Sequence, residues 1–104
     1  MKRLGLIGAI AGLGIAVTQP ALAGDVEAGK AAAASCVACH GVNGNSTNPL
    51  WPKLAGQHAA YLAKQMRDYK AGTRQDPVMG PMSQTINDAD IDNIAAYFAA
   101  QTQQ

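Results

Sequence analysis

An all-α domain is what this sequence predicts, on three observations. Residues 24–104 are rich in alanine and poor in runs of β-branched side chains, which favours helices over strands. Apolar residues fall at the spacing of a single buried helical face: Leu62, Met66 and Tyr69 at i, i+4, i+7, then Ile91, Ile94, Ala95 and Phe98 at i, i+3, i+4, i+7. Between the candidate helices lie stretches of Gly, Pro, Asn and Ser with neither helical nor strand period. Three main helices are therefore expected.

The first residues are not part of that fold. Lys2 and Arg3 form a positive start, Leu4 to Val17 an uncharged and mostly apolar run, and Ala21-Leu22-Ala23 a small-residue cleavage site, so 1–23 reads as a cleaved export leader. The alternative is a membrane anchor. Fourteen helical residues span only about 21 Å of a roughly 30 Å hydrocarbon core, so stable membrane insertion is not expected. Cleavage after Ala23 leaves residues 24–104 as one domain, of a size at which burial alone gives marginal stability.

Processing also changes the charge. The full chain carries eight basic and seven acidic residues, a net +1; losing Lys2 and Arg3 leaves six against seven, near −1. That balance excludes the basic footprint of a nucleic-acid binder. No internal repeat, low-complexity linker or second domain is visible.

The first helix opens at Asp25, a plausible N-cap, with Glu27 near the positive end of the dipole and Ala31 to Ala34 as strong helix formers, and is expected to run to about Ser35. Gly29 inside it costs about 1 kcal/mol relative to alanine, which a close helix crossing at that point would offset.

At its end stands Cys36-Val37-Ala38-Cys39-His40, the C-x-x-C-H pattern of covalent haem attachment: each thiol adds to one vinyl group while the adjacent imidazole reaches the iron from the same side. Three rivals fit less well. A disulfide or a thioredoxin-like redox pair has no use for His40, and the latter needs a βαβ surrounding that this alanine-rich chain does not offer. Zinc would usually want four Cys or His ligands, and residues 24–104 hold Cys36, Cys39, His40 and His58 alone. One covalently bound haem c is the expected cofactor.

Gly41 to Pro49 reads as a loop. In Leu50-Trp51-Pro52-Lys53-Leu54-Ala55-Gly56 two prolines break regular structure, and Trp51 and Leu54 are expected on the haem or against its edge. The second helix runs from about His58 to Lys70 and stops at Gly72, with Lys64, Arg67, Asp68 and Lys70 on its wet side. Met66 belongs to its core face, and His58 is a surface or capping residue. Thr73 to Ser83 reads as irregular, and it carries Met79 and Met82 outside any helical period. A thioether there is a soft ligand suited to haem iron opposite histidine. Asn87 caps the last helix, and Tyr97 or Phe98 is expected over Gly29; Gln101 to Gln104 look like a frayed end.

Taken together the chain resembles the class I c-type cytochromes, and within them the single-domain bacterial cytochrome c-553 and cytochrome c4 type. The segments that carry the resemblance are GDVEAGK, CVACHG, PKLAGQHAAYLAKQ and INDADIDNIAAYF. It implies a cytochrome c fold in which first and last helices cross near a glycine and an aromatic. It also implies His40 as proximal ligand and, seven residues before Ile86, Met79 as distal ligand, with Met82 the alternative. In the P-x-L-x-G pattern the family's proline carbonyl, here that of Pro52, accepts from the proximal histidine; Pro49 is the other candidate. Cytochromes c4 carry two such domains, and this chain shows one.

The function so implied is a monomeric periplasmic electron carrier, not an enzyme, with cofactor contacts at Cys36, Cys39, His40, Trp51, Pro52 and Met79 and iron ligands His40 and Met79. Its partners would be periplasmic redox proteins, such as a quinol-oxidising donor and a terminal oxidase or reductase as acceptor. The alternatives are a haem subunit of a larger redox enzyme, or a peroxidase-like or gas-binding haem protein, which requires an open or displaceable sixth position.

Overall fold

Helices from opposite ends of the chain meet at a glycine. Helix α1 (Val26–Ala32) lies across α5 (Asp88–Ala99), and a Cβ added at Gly29 would stand 1.9 Å from the Asn93 carbonyl oxygen and 2.8 Å from the Tyr97 Cβ. Only hydrogen fits there, so the helical cost of Gly29 is offset by the closeness of the crossing. Tyr97 is thus the aromatic at Gly29; Phe98 points to the next contact along the chain. The backbone N–H of Asp25 donates to Asn93 Oδ1 at 2.8 Å, fastening the start of α1 to the same turn of α5.

The computed structural model describes residues 24–104 together with the glycines at 5, 8, 12 and 14. The expected leader otherwise lies outside the described residues. Among the described residues every regular element is helical, and no helix is long and apolar enough to cross a membrane.

Capping sets the limits of the elements. Asp25 Oδ1 accepts from the Ala28 N–H, and Asn87 Oδ1 from the Asp90 N–H, so each outer helix starts on a side-chain cap. The first helix is shorter than expected. It tightens into a 3-10 turn over Ala33–Ser35 before the motif helix α2 (Val37–His40) begins. Helix α3 (Ala59–Ala71) ends on Gly72 at φ +81°, a left-handed cap.

The core is a single cluster built from Leu62, Ala63 and Met66 of α3, Ile91, Ile94, Ala95, Tyr97 and Phe98 of α5, and Ala33 and Ile86. Full burial of each large apolar side chain contributes about 1.5–3 kcal/mol, which makes α5 the element on which the others rest. Tyr69 departs from the expected stripe: it is only half-buried, with the Arg74 guanidinium 4.6 Å above its ring. Met66 is a core residue and His58 is exposed.

Two further expectations fail. The stretch from Thr73 to Ser83 is not irregular throughout, because α4 (Met79–Gln84) forms within and beyond it. Pro81 is the third residue of α4, still in the first turn, where a missing N–H breaks no hydrogen bond. The C-terminus is not frayed either: Asn45 Nδ2 donates to the Thr102 carbonyl at 3.0 Å, and the Gln104 N–H donates to Asn45 Oδ1 at 2.9 Å.

Candidate functional site

Three candidate site residues share one turn of helix. Cys36 immediately precedes α2, its carbonyl accepting the His40 N–H at 2.9 Å, so Cys36, Cys39 and His40 are held by a single hydrogen-bonded turn. Gly41 follows at φ +83° and lets the chain leave at once.

His40 is buried, and its ring is held in place. A carbonyl oxygen can only accept, so Nδ1 carries the proton and donates to the Pro52 carbonyl at 2.9 Å. Nε2 is then the nitrogen with a free lone pair, directed by a bond that also raises its basicity. Pro52, not Pro49, is the acceptor.

What places Pro52 is a chain of close contacts back to the core. The N–H groups of Leu54 and Ala55 both donate to the Gly44 carbonyl, at 2.8 and 3.1 Å, and the Gly56 N–H donates to the Phe98 carbonyl at 3.0 Å. Gly44 sits at φ +75°, and a Cβ there would lie 2.7 Å from the Phe98 ring. A side chain at 44 would push the loop, and with it Pro52, off α5. Asn43, at φ +57°, accepts from the Tyr97 hydroxyl at 2.9 Å, so both aromatics of α5 steady the segment after the motif.

The two thiols are unpaired and half-buried. Burial pushes the Cys36 thiol up; neighbouring Cys39 adds to the rise and a hydrogen bond with Ser35 opposes it. Redox-active C-x-x-C pairs need the reverse, a thiolate favoured by its surroundings. Among the described residues no group of three or more His, Cys, Asp or Glu could hold a metal ion, so a conventional protein metal cage is also a poor fit. Two unpaired thiols on the same helical turn as a directed imidazole fit a c-type haem instead.

The methionines lie on α4, both half-buried and three residues apart. Asp76 Oδ1 accepts from the N–H groups of Val78 and Met79 at 2.9 and 2.8 Å, closing the turn that leads into this helix. Those two backbone donors, Met79 first, hold the Asp76 carboxyl below the ordinary carboxylate value. At the other end Lys70 Nζ donates to the Ile86 carbonyl, and Gln84 Nε2 to the Lys70 carbonyl. Reading along the chain assigned Asp76 no role and placed Lys70 only on the wet side of its helix. An aspartate followed by proline, three residues before Met79, was the available signal, a helix-start pattern that the prolines at 77 and 81 disguised as loop.

Trp51 is 40 % exposed and Leu50 83 %, while Leu54 packs against the core cluster. Leu50, Trp51 and Val42, also exposed, belong to a stretch, residues 31–52, that contains no Asp, Glu, Lys or Arg. The chain on both sides of the motif is therefore uncharged, with Val42, Leu50 and Trp51 its exposed large apolar side chains.

The family model for Cytochrome c matches residues 26–101. Cytochrome c4 of Pseudomonas aeruginosa is 53% identical over 79 residues, covering 76% of this chain and 39% of that protein. Cytochrome c-554(548) of Halomonas halodenitrificans is 43% identical over 82 residues, 76% of this chain and 99% of that protein. The crystal structure of reduced recombinant cytochrome c4 from Pseudomonas stutzeri superposes with a TM-score of 0.75 at 46% identity, over 79% of this chain and 48% of that one. The chain thus spans about two fifths of the curated cytochrome c4 to which it is similar, and nearly the whole of the smaller relative.

Proposed function

The chain belongs to the cytochrome c family, and on that premise we propose that it is a one-haem periplasmic electron carrier in which His40 and Met79 ligate the iron. The observation that carries the reading is the His40 Nδ1 to Pro52 hydrogen bond on the same helical turn as two unpaired thiols. That arrangement prepares one imidazole nitrogen for a metal held by covalent attachment.

The haem, when bound, supplies a one-electron iron couple. Cys36 and Cys39 would hold it, each thiol adding S–H across a vinyl group with no net oxidation of the chain. His40 is kept in one tautomer by Pro52, so its donor strength does not vary with rotation of the ring. Met79 presents a soft thioether, which favours the reduced state relative to a second histidine.

Docking falls to the uncharged residues Val37, Ala38, Gly41 and Val42 and to the exposed Leu50 and Trp51. A small apolar face suits brief encounters, because a carrier must release each partner to turn over. Its partners would be periplasmic redox proteins. The periplasmic assignment rests on Lys2, Arg3, the apolar run to Val17 and the Ala21-Leu22-Ala23 site in residues 1–23.

The mass of the exported protein is the first test. It should equal residues 24–104 plus one haem, and an unmodified mass overturns the reading. Met79→Ala should abolish the ferric iron–methionine absorption band and Met82→Ala should leave it; the opposite result reassigns the ligand.

A further inference from the structure

Helix α4 is fastened at both ends by hydrogen bonds to residues outside it. Asp76 is exposed, yet one of its carboxylate oxygens takes two backbone N–H groups, one of them that of Met79 itself at 2.8 Å. At the far end Lys70 contributes twice: its ammonium donates to the Ile86 carbonyl, and its own carbonyl accepts from Gln84, the last residue of α4. The ammonium also lies 3.9 Å from the Asp88 carboxylate at the start of α5.

A helix of six residues containing a proline and a glycine has little stability of its own. Its position therefore depends on what holds its ends.

We propose that Asp76 is the positioning residue for Met79, and that with Lys70 it forms a two-ended clasp that keeps the methionine from being displaced by outside ligands. The proposal rests on the reading of Met79 as iron ligand. The clasp acts on the competition for the sixth position. An incoming ligand must displace the Met79 sulfur, and any displacement that carries the backbone with it breaks the N–H bond to Asp76 or moves α4 against Lys70. This is what would separate a carrier from a haem protein that binds gases or peroxide, which needs that position to open.

The test is imidazole binding to the ferric full-length holoprotein, followed through loss of the iron–methionine absorption band. Asp76→Ala should raise imidazole affinity about tenfold, the scale of losing a side-chain cap on a helix start. Asp76→Asn keeps an acceptor oxygen and should stay within about threefold of the wild type. Lys70→Met, which removes the ammonium's bond to the Ile86 carbonyl and leaves Gln84 bonded to the residue-70 carbonyl, should also raise it, by less than Asp76→Ala. Asp25→Ala removes the equivalent cap from α1; it should lower the denaturation midpoint and leave imidazole affinity unchanged.

The clasp is overturned if Asp76→Ala binds imidazole like the wild type, if Asp76→Asn behaves like Asp76→Ala, if Lys70→Met has no effect, or if Asp25→Ala raises the affinity as much as Asp76→Ala does. Loss of the band in Met79→Ala, with Asp76→Ala silent, removes the clasp alone. A band that survives in Met79→Ala removes the ligand assignment beneath it.

Discussion

Replacing Gly29 with alanine separates two accounts of that residue by the sign of the result. On an open helix surface the change stabilises by about 1 kcal/mol, because alanine is the better helix former. At the α1–α5 crossing the new methyl would stand 1.9 Å from the Asn93 carbonyl oxygen and 2.8 Å from the Tyr97 Cβ. Relief requires the helices to part by about 1.5 Å, to reach the roughly 3.4 Å of ordinary contact. Overpacking of this kind costs about 1–3 kcal/mol. The same movement stretches the 2.8 Å bond from the Asp25 N–H to Asn93 Oδ1, worth about 1 kcal/mol. After subtracting the gain in helix propensity, a net loss of about 1–3 kcal/mol remains. For a domain of this size that lowers the melting temperature by about 4–8 °C per kcal/mol, so a fall of about 5–20 °C is expected. Thermal unfolding of the holoprotein, followed by far-UV circular dichroism, measures it. An unchanged or raised melting temperature refutes the account of the crossing.

Three further outcomes are expected. Tyr97→Phe removes the hydroxyl donor to Asn43 at 2.9 Å and should cost about 1 kcal/mol in denaturant unfolding; an unchanged midpoint would show that water serves Asn43 equally well. The hydrogen bond from Lys64 is the largest cause holding the Asp68 carboxyl below its ordinary value, so Asp68 contributes stability above that value and loses it as pH falls through its folded-state pKa. Lys64→Met should therefore move the acid-unfolding midpoint slightly to higher pH at low salt and not at high salt, and a shift that persists in high salt would contradict a screened surface pair. Electron self-exchange between oxidised and reduced protein, measured by NMR line broadening, should change less than about twofold from 0.01 to 0.1 M salt, although the Debye length falls from about 30 to about 10 Å. A steep salt dependence would mean that encounters use charged groups outside residues 31–52.

Much of this protein is legible because local chemistry and tertiary packing demand the same residues. Asp25 and Asn87 cap the helices that their side chains suggest, and Gly72 closes α3 in the left-handed conformation that glycine takes most readily. The apolar stripe of α5 is also buried as its period requires. Where local and tertiary demands diverge, reading along the chain misleads. The prolines at 77 and 81 argue against a helix. Yet α4 forms, since its ends are held by Asp76 and Lys70, residues three before its first residue and fourteen before its last. The tail from Gln101 is polar and short of apolar anchors, so it reads as frayed; Asn45, more than fifty residues earlier, ties it down.

The sequence by itself determined the cofactor class and the helical architecture, because both depend on short-range spacing: two thiols and an imidazole within five residues, and apolar side chains at helical period. The tertiary structure decided the long-range partners. It put Tyr97 on Gly29 and Phe98 on Gly44, and brought the carbonyl of Pro52 to within 2.9 Å of the ring of His40. It also clasped Met79 from both ends of α4. Those pairings depend on how closely segments distant in the chain approach one another, and periodicity along the chain carries no record of that distance.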